Sequence, residues 1–480
     1  MSDGPRIAII GGGFSGAVVA LHLLRDQHGK PFSVDVIEPR PVIGGGLAYS
    51  SEEAEHRINV AAARMTPLPD DLEHFDRWFR QSPDAAMDRA AIIPDGRAYP
   101  RRTVFGRYVD DLVRRAAQNA ERGTFRHLPN RATCVEVDGE GYRITLDSGE
   151  IVIADLVVLA TGHALPAVPS AFLPVSDHAR FIANPWAKNA LSPIRPEDWV
   201  LIIGTGLTMA DTVAALRARG HVGQIVAISR RGQLSQPRTA LPVEAFGDFQ
   251  QHPAKTVSEL LSRVRTVARE LQHAGQPWEN VIDAIRQQAV TIWGNLSLVE
   301  RQRFQRHLRP FWDSHRYQVA PQINDVVQND LRRNGLQVLA ASFRQVSADT
   351  DVFRVKLRPR GSRPQTLAER HFHAVVNCTG PDHNTIVSDN PALASLEAAG
   401  LLTADPLHLG IHVDQQSRVI GIGGQARPTL LVAGPPARFT FGELMGLPQV
   451  TLQAKSVADQ ISGWIAAQET ETPARRVLSA

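Results

Sequence analysis

Two features near the start of the chain have the residue types and the spacing to hold a phosphate-bearing ligand. The first is a G-x-G-x-x-G run, Gly11-Gly12-Gly13-Phe14-Ser15-Gly16. The second is Glu38, which follows these glycines at about the 20-residue spacing at which a carboxylate binds ribose hydroxyls. Because a carboxylate at that position repels a 2′-phosphate, the pattern predicts a site for FAD or NAD rather than NADP.

A strand–turn–helix unit is needed to position these residues. Residues 6–10 are almost wholly apolar, which is typical of a buried parallel strand, and residues 17–24 favour a helix. Gly11 then permits the tight turn, Gly13 lets the backbone approach a pyrophosphate, and Gly16 lets the helix and strand pack closely. The free N–H groups at the start of the helix attract the phosphates. A second strand, residues 33–37, leads to Glu38.

A second unit of the same kind begins near residue 199. An apolar strand at residues 199–203 leads into Gly204-Thr205-Gly206-Leu207-Thr208-Met209-Ala210-Asp211 and a helix. The next strand, residues 224–228, ends in Ser229-Arg230-Arg231 rather than in an acid. Guanidinium groups bind phosphate bidentately, so this unit is predicted to prefer NADPH. The predicted contacts are Gly204, Gly206, Leu207, Thr208, Ser229, Arg230 and Arg231. Met209 stands where a third glycine is common, and we expect it to hold the helix farther off.

Two stretches after Glu38 are candidates to line a flat ligand ring such as isoalloxazine. Residues 44–46 are three glycines, which suit backbone lying against such a ring, and residues 56–65 mix small and amide side chains. A plain loop is an equal alternative for the second stretch. The candidate contacts are Gly46, Leu47, Tyr49, Asn59, Val60 and Met65. Asn59 is the candidate catalytic donor near flavin N5, with a loop-capping amide as the alternative.

Residues 236–335 are predicted to be helical, and they do not belong to a minimal dinucleotide-binding unit. The apolar positions Val257, Leu260, Leu261, Val264, Ala268 and Leu271 fall on one helical face. Residues 301–316 are crowded with cations and aromatic side chains, which could bind an anionic substrate. The alternative is an amphipathic helix with a solvated basic face. The candidate substrate contacts are Trp312, His315 and Arg316, and no metal site is predicted.

Composition narrows the class of protein. The 480 residues suggest two or three domains, and a net charge of +3 does not argue for a nucleic-acid surface. The two cysteines, Cys134 and Cys378, form no C-x-x-C pair, and their scarcity fits a reducing cytoplasm. No apolar run reaches the roughly 18 residues of a membrane helix. The first strand starts by residue 6, which leaves no room for a signal peptide.

The chain resembles flavoproteins with two dinucleotide-binding domains. This resemblance rests on the paired glycine turns, on the strands that end in Thr161-Gly162 and Thr379-Gly380, and on an apolar strand that ends at Gly434. A β-meander predicted within residues 124–162 also precedes Thr161, as in that superfamily. The resemblance implies FAD as the first ligand. The FAD contacts outside residues 44–65 are then Gly11, Gly13, Phe14, Ser15, Gly16, Glu38, Pro39, Val135, Ala160, Thr161, Gly162, Gly434 and Pro435.

Within that superfamily, the chain lacks the cysteine pair of disulfide reductases. Its second glycine turn and Ala160-Thr161-Gly162 are more similar to class B flavin monooxygenases and to ornithine or lysine N-hydroxylases. Residues 46–49, 56–65, 100–108 and 307–316 resemble a bacterial family known as FAD/NAD(P)-binding proteins, to which aspartate N-monooxygenases look related. The family is specific for the fold and the cofactors and poor for the substrate.

The fold predicted is α/β, with two Rossmann-like domains for FAD and NADPH, a β-meander, and a helical insertion in the second domain. The predicted boundaries are 1–168 and 381–480 for the FAD domain and 169–380 for the NADPH domain, with the insertion at about 236–335. Residues 470–480 are expected to form a frayed tail.

The predicted function is an NADPH-dependent FAD monooxygenase that hydroxylates a small amine nitrogen through a C4a-hydroperoxyflavin. Its partners would be a small-molecule substrate and O2, with no nucleic acid and no membrane. One alternative is an NAD(P)H:acceptor flavin reductase without oxygen insertion, and the other is a flavin-binding regulatory protein.

Overall fold

The computed structural model describes residues 4–241, 243–361 and 366–468. The predicted tail, residues 470–480, lies outside them. The strands are β1 Arg6–Ile10, β2 Phe32–Ile37, β3 Gly123–Leu128, β4 Ala132–Asp138, β5 Gly141–Leu146, β6 Ile151–Ala154, β7 Leu156–Leu159, β8 Phe181–Ile182, β9 Val200–Ile203, β10 Ile225–Ser229, β11 Leu336–Ala348, β12 Phe353–Pro359, β13 Ala368–Phe372, β14 Ala374–Asn377, β15 Arg418–Ile420 and β16 Ala426–Val432.

The α-helices follow the same chain order. They are α1 Phe14–Arg25, α2 His74–Gln81, α3 Pro83–Met87, α4 Arg102–Gln118, α5 Leu207–Ala218, α6 Val257–His273, α7 Glu279–Gln287, α8 Ala289–Asn295, α9 Leu298–Arg303, α10 Arg309–Arg316, α11 Pro321–Arg332, α12 Pro391–Ala398, α13 Arg438–Phe441 and α14 Gln449–Ala467. A π-helical turn, Phe304–Leu308, joins α9 to α10.

The first sheet has the strand order β15-β16-β7-β1-β2-β3 in the described part of the chain. Strand β1 lies parallel to β2 and to β7, with Ile9 opposite Val36 and Val158. Helix α1 packs against α4 and α14 beside this sheet, and the antiparallel meander β4-β5-β6 packs on α12. Both faces of β1 are therefore covered, which explains why residues 7–10 are apolar and buried.

The second sheet has the order β13-β12-β11-β10-β9-β14-β8. Strand β9 lies parallel to β10 and β14, and the long β11 continues into an antiparallel edge with β12 and β13. The chain then returns to the first sheet, since β16 pairs with β7. The α/β fold with two Rossmann-like sheets and a meander is thus confirmed, whereas the exact domain boundaries stay a prediction.

The insertion differs from the prediction at its start. The sequence pattern predicted helix from residue 236, but no helix precedes α6 in the described residues 236–256. Pro237 and Pro253 interrupt that stretch, and proline is incompatible with a helix interior. Phe249 anchors the irregular segment in the core of the insertion, and its backbone N–H donates to Gln288 Oε1 at 2.6 Å. Thr256 then caps α6 by accepting from the Glu259 N–H.

Candidate functional site

The first glycine turn, residues 11–16, is built by close packing of backbone on backbone. Gly11 has a φ of 105°, and a Cβ there would collide with the Ala160 carbonyl at the end of β7. A Cβ at Gly16 would collide with the Gly11 carbonyl, so α1 can start close to β1 only with glycine at that position. The structure therefore places these glycines as the predicted turn requires, with the N-terminus of α1 at the end of β1.

Glu38 lies beside this turn, at the end of β2. Its side chain is buried, and its Oε2 accepts from the Gly12 N–H at 3.0 Å. Its Oε1 accepts from the backbone N–H and the guanidinium of Arg40, at 3.1 and 2.9 Å. The carboxylate is thus held against the glycine turn, where the predicted ribose contact requires it, and Pro39 follows at the edge.

The three glycines at residues 44–46 pack closely against the first glycine turn and α4. A Cβ on Gly46 would lie 3.0 Å from Gly13 Cα, and a Cβ on Gly44 would collide with Val109 of α4. Tyr49 joins an aromatic cluster, with its ring centroid 4.7 Å from that of Phe105 and 6.2 Å from that of Phe14. This loop therefore closes over the first glycine turn, and Leu47 at its tip is exposed.

Two further segments meet the first glycine turn and fit a dinucleotide. The Thr161 hydroxyl is buried and has no hydrogen-bond partner among the described residues, while Gly162 has a φ of 74° with open space at its Cβ position. Gly434, at the end of β16, has a φ of 88°, and a Cβ there would collide with the Ser15 hydroxyl. The loops after β1, β7 and β16 thus converge, and the Thr161 hydroxyl there is a buried polar group whose hydrogen bond a bound ligand could supply.

Several predicted FAD contacts lie away from this convergence or in the core. Met65 is buried in the main hydrophobic core, and Val60 packs against that core. Val135 is buried in the meander, and its backbone N–H donates to Ser395 Oγ at 2.9 Å. Pro435 continues from Gly434 into a short 3-10 turn. The amide of Val135 is therefore already used by α12.

The second glycine turn, residues 204–211, repeats the first with one difference. Gly204 has a φ of 111°, and a Cβ there would collide with the Cys378 carbonyl at the end of β14. Gly206 has open space at its Cβ position, so the phosphates of a nucleotide can approach its backbone. Met209 is fully buried in the core beneath α5, and Leu207 and Thr208 are half-buried in the first turn of that helix.

Two arginines follow β10, and one of them is exposed whereas the other contacts the helical insertion. Ser229 Oγ accepts from Thr205 Oγ1 and from the Gly232 N–H, both at 2.9 Å, which fixes the loop beside the second glycine turn. Arg230 is exposed. The Arg231 guanidinium lies 4.6 Å from the ring centroid of Phe311 and donates to the His307 carbonyl at 3.4 Å. Arg231 therefore also ties the nucleotide loop to the insertion.

Asn59 lies where the first domain meets the segment before α11. Its Nδ2 donates to the Gln318 carbonyl at 3.1 Å, and its own carbonyl accepts from Arg238 Nε. Burial, together with the charges of Arg316 and Arg286, lowers the pKa of Arg238 to about 10. No carboxylate within ion-pair distance of Arg238 is found among the described residues, so this cation is neutralised by none of them.

The helical insertion lines most of a cavity of about 420 Å³ whose walls are mostly apolar. Trp312 and His315 line it, as do Trp278 and Trp293, and the rings of Trp278 and His315 pack edge to face with centroids 5.0 Å apart. Arg316 is buried outside this lining, where its Nη2 lies 2.7 Å from Glu443 Oε1. The structure thus brings two of the three predicted substrate residues to one cavity.

Part of the cavity's lining is polar, and one of these polar residues lies close in sequence to the loop after β16. The polar lining includes Arg309, Asp313, Tyr317 and Arg438. Burial, together with the charges of Arg438 and Arg309, lowers the pKa of His163, the residue after Gly162, to about 4. Arg438 is also only a few residues beyond Gly434. The polar part of the cavity's lining therefore adjoins the loops after β7 and β16.

Sequence reasoning missed several residues of this junction. Arg102 and Asp211 form a buried pair, and Arg238, His163 and Glu443 had no predicted role. The sequence did contain one signal for Asp211, because a carboxylate in the buried first turns of a helix requires a charged or hydrogen-bonding partner. The others are held together only by contacts between distant parts of the chain.

Two absences describe the remainder of the molecule. In residues 4–241, 243–361 and 366–468, no cluster of His, Cys, Asp or Glu side chains is placed to hold a metal ion. Over the same ranges, no helix combines the length and the apolar character needed to cross a bilayer.

The fold and the paired glycine turns define the class: a flavoprotein architecture with two dinucleotide-binding domains. Residues 8–164 match the model of a family described as FAD-NAD(P)-binding. This match covers the first glycine turn, Glu38 and Thr161, which are among the predicted FAD contacts. The predicted cofactor class is thereby confirmed.

Solved structures of similar fold include an ornithine hydroxylase and a lysine monooxygenase. The ornithine hydroxylase of Pseudomonas aeruginosa is 15% identical with a TM-score of 0.61, over 97% of this chain and 99% of that one. The L-lysine 6-monooxygenase of Pseudomonas syringae is 17% identical, with the same TM-score and coverage. A curated monooxygenase of Penicillium ochrochloron is 24% identical over 264 residues, which are 54% of this chain and 40% of that protein. The chain thus spans less than half the length of that relative.

Proposed function

We propose that this protein is an FAD-dependent, NADPH-reduced monooxygenase that hydroxylates an amine nitrogen. The observation that carries the proposal joins three features: the loops after β7 and β16 converge at the first glycine turn, and Arg438, a few residues beyond Gly434, lines the insertion's cavity. A reduced flavin held by the first two would face a substrate held by the third. The fold likeness to ornithine and lysine hydroxylases over nearly the whole chain supports the same function.

Each nucleotide would be held by its own set of residues. Glu38 would accept the hydroxyls of the FAD ribose, the N-terminus of α1 would bind the pyrophosphate, and the Thr161 hydroxyl would gain the partner it lacks. Arg230 and Arg231 would bind the 2′-phosphate of NADPH beside Gly206. Bound FAD supplies the hydride acceptor and the activation of O2, which no side chain provides.

The overall reaction balances with one NADPH for each amine. R–NH2, O2, NADPH and H+ give R–NHOH, NADP+ and H2O: an N–O bond forms, the O–O bond breaks, and NADPH supplies the two electrons that reduce the second oxygen atom. The protein's part is to orient both reactants and to exclude water. Asn59 is proposed to lie at the flavin edge, where its bonds to Gln318 and Arg238 hold the loop in place.

Rapid-kinetic spectroscopy tests this function against its alternatives. The FAD-loaded protein is mixed anaerobically with NADPH and then with oxygenated buffer in the presence of an amine. We expect fast flavin reduction followed by amine-dependent hydroxylamine formation. A fast reduction that leads only to electron transfer to a quinone would support the acceptor reductase instead. Failure of either nicotinamide to reduce the flavin would leave only a regulatory flavoprotein.

We also propose that the reaction takes place in the cytoplasm with a small-molecule substrate and O2. The two thiols support a reducing compartment: Cys378 is buried, Cys134 is half-buried, and neither forms a disulfide. Burial raises the pKa of Cys378 to about 12, so this thiol stays protonated and inert. Fractionation of the native host, with detection of the protein in each fraction, tests the location.

A further inference from the structure

The cavity in the helical insertion is much more apolar than a small free amino acid requires. Its walls come from α6, α7 and α8, with Leu261, Ala268, Ile285 and Ile292 among the lining residues. A volume of about 420 Å³ lies in the range of sites that enclose a drug-sized ligand. A small polar amino acid would leave most of this apolar surface uncovered, whereas a long apolar chain would cover it and remove it from water.

Part of the lining of the same cavity is polar. Arg309 and Asp313 of α10 form an ion pair there, and Glu443 contributes a second carboxylate. Burial raises the pKa of Asp313, and the charge of Arg309 opposes that rise. These carboxylates can accept N–H groups of an amine head, and Arg438, which also lines the cavity, lies a few residues beyond Gly434. The cavity is therefore amphipathic, with its polar part towards the proposed flavin position.

We infer that the substrate is an amine with a long apolar body, an alkyl or arylalkyl chain, rather than a free amino acid. This inference rests on the proposed function for the chemistry at the nitrogen. The apolar body fills the space between α6, α7 and α8, and the amine lies at the polar part beside Asp313 and Glu443. The insertion is then the element that selects the substrate.

A chain-length series tests the inference on the FAD-loaded protein. Primary n-alkylamines from butylamine to dodecylamine are titrated, with tryptophan fluorescence as the readout because Trp278, Trp293 and Trp312 line the cavity. We expect Kd to fall about fourfold per added methylene until the cavity is filled. Hydroxylamine formation is measured in parallel. Ornithine and lysine are expected to bind more weakly than octylamine.

Two variants and one control locate the binding. Ala268→Phe narrows the cavity, so decylamine affinity should fall about tenfold while butylamine affinity changes little. Leu261→Ala enlarges the cavity, and the preferred chain should lengthen by about three carbons. Thr266→Phe lies on the exposed face of the same helix and should leave the series unchanged.

The outcomes separate this inference from the proposed function. A Kd that does not depend on chain length, or one that shifts equally in Ala268→Phe and Thr266→Phe, would overturn the inference even if NADPH reduces the flavin and free amino acids are hydroxylated. Chain-length-dependent binding without any hydroxylamine would contradict the proposed function and would leave the apolar substrate site in place.

Discussion

Arg102 donates from its guanidinium to the Asp211 carboxylate at 2.6 Å, and this largely buried ion pair joins α4 to α5, the helix that follows the second glycine turn. Arg102 begins α4, which packs on α1, whereas Asp211 lies in α5 directly after the second glycine turn. Burial raises the pKa of Asp211, and the neighbouring charge of Arg102 limits that rise. This pair therefore helps to hold the helix after the second glycine turn against the domain that contains the first.

Replacing Asp211 should destabilise the protein strongly. Asp211→Asn leaves the Arg102 guanidinium buried without a counter-charge, and the free energy of unfolding should fall by about 3 kcal/mol. Chemical denaturation measures this loss. Asp459→Asn is the control, because its partner Lys455 lies on the exposed face of α14, and there the loss should be under about 1 kcal/mol. Equal losses in the two variants would contradict a structural role for the buried pair.

The two arginines after β10 should contribute unequally to nicotinamide selectivity. Arg230→Gln removes an exposed guanidinium that is proposed to bind the 2′-phosphate, so kcat/KM for NADPH should fall about tenfold or more while that for NADH stays unchanged. Arg231→Gln should also disturb the insertion, because Arg231 contacts Phe311 and His307. Arg332→Gln, on an exposed position of α11, serves as the control. An equal fall in kcat/KM for NADPH and for NADH in Arg230→Gln would contradict the proposal.

Alanine at position 434 should reduce FAD binding, whereas alanine at position 463 should stabilise the protein. A Cβ at Gly434 would collide with the Ser15 hydroxyl at a φ of 88°, so Gly434→Ala should lower the flavin-to-protein absorbance ratio of the purified protein. Gly463 lies exposed inside α14 with nothing near its Cβ position. Gly463→Ala should therefore raise the free energy of unfolding by about 0.5–1 kcal/mol without changing FAD content. An unchanged flavin ratio in Gly434→Ala would contradict the proposed position of FAD.

Stability should fall as the pH is lowered below 6.5, and His56 should account for part of this loss. His56 is buried against Ser51, with its Nδ1 2.6 Å from the hydroxyl, and burial followed by the charges of Arg102 and Arg219 lowers its pKa to about 3. The unfolded chain binds a proton near pH 6.5 that the folded chain binds only near pH 3. His56 therefore stabilises the fold fully above pH 6.5 and progressively less between pH 6.5 and 3.

Denaturation at pH 7.5, 6 and 5 measures this dependence. Between pH 7.5 and 5 the wild type should lose about 2 kcal/mol more than His56→Gln. The exposed residue His371 provides the control, since His371→Gln should keep the pH dependence of the wild type. Parallel curves for the wild type and His56→Gln would show that His56 does not titrate in this way.

Local pattern was sufficient for the nucleotide-binding parts of the fold. The apolar run before Gly11, the glycine spacing and Glu38 predicted β1, α1 and the end of β2, because a βαβ unit is built from neighbours in sequence. The contrast between Glu38 and Arg230 predicted two different nucleotides in the same way. The helical start at residue 236 was wrong, since Phe249 and Gln288 hold that stretch through contacts that no local pattern encodes.

The sequence by itself therefore determined where the two strand–glycine turn–helix units lie, because backbone geometry and glycine sterics act over a few residues. Only the tertiary structure decided what surrounds the reacting atoms. The apolar cavity, the pair between Arg102 and Asp211, and the approach of Arg438 to His163 join side chains that are more than a hundred residues apart. Their positions result from the packing of helices on two sheets, and packing depends on the shape of the whole core.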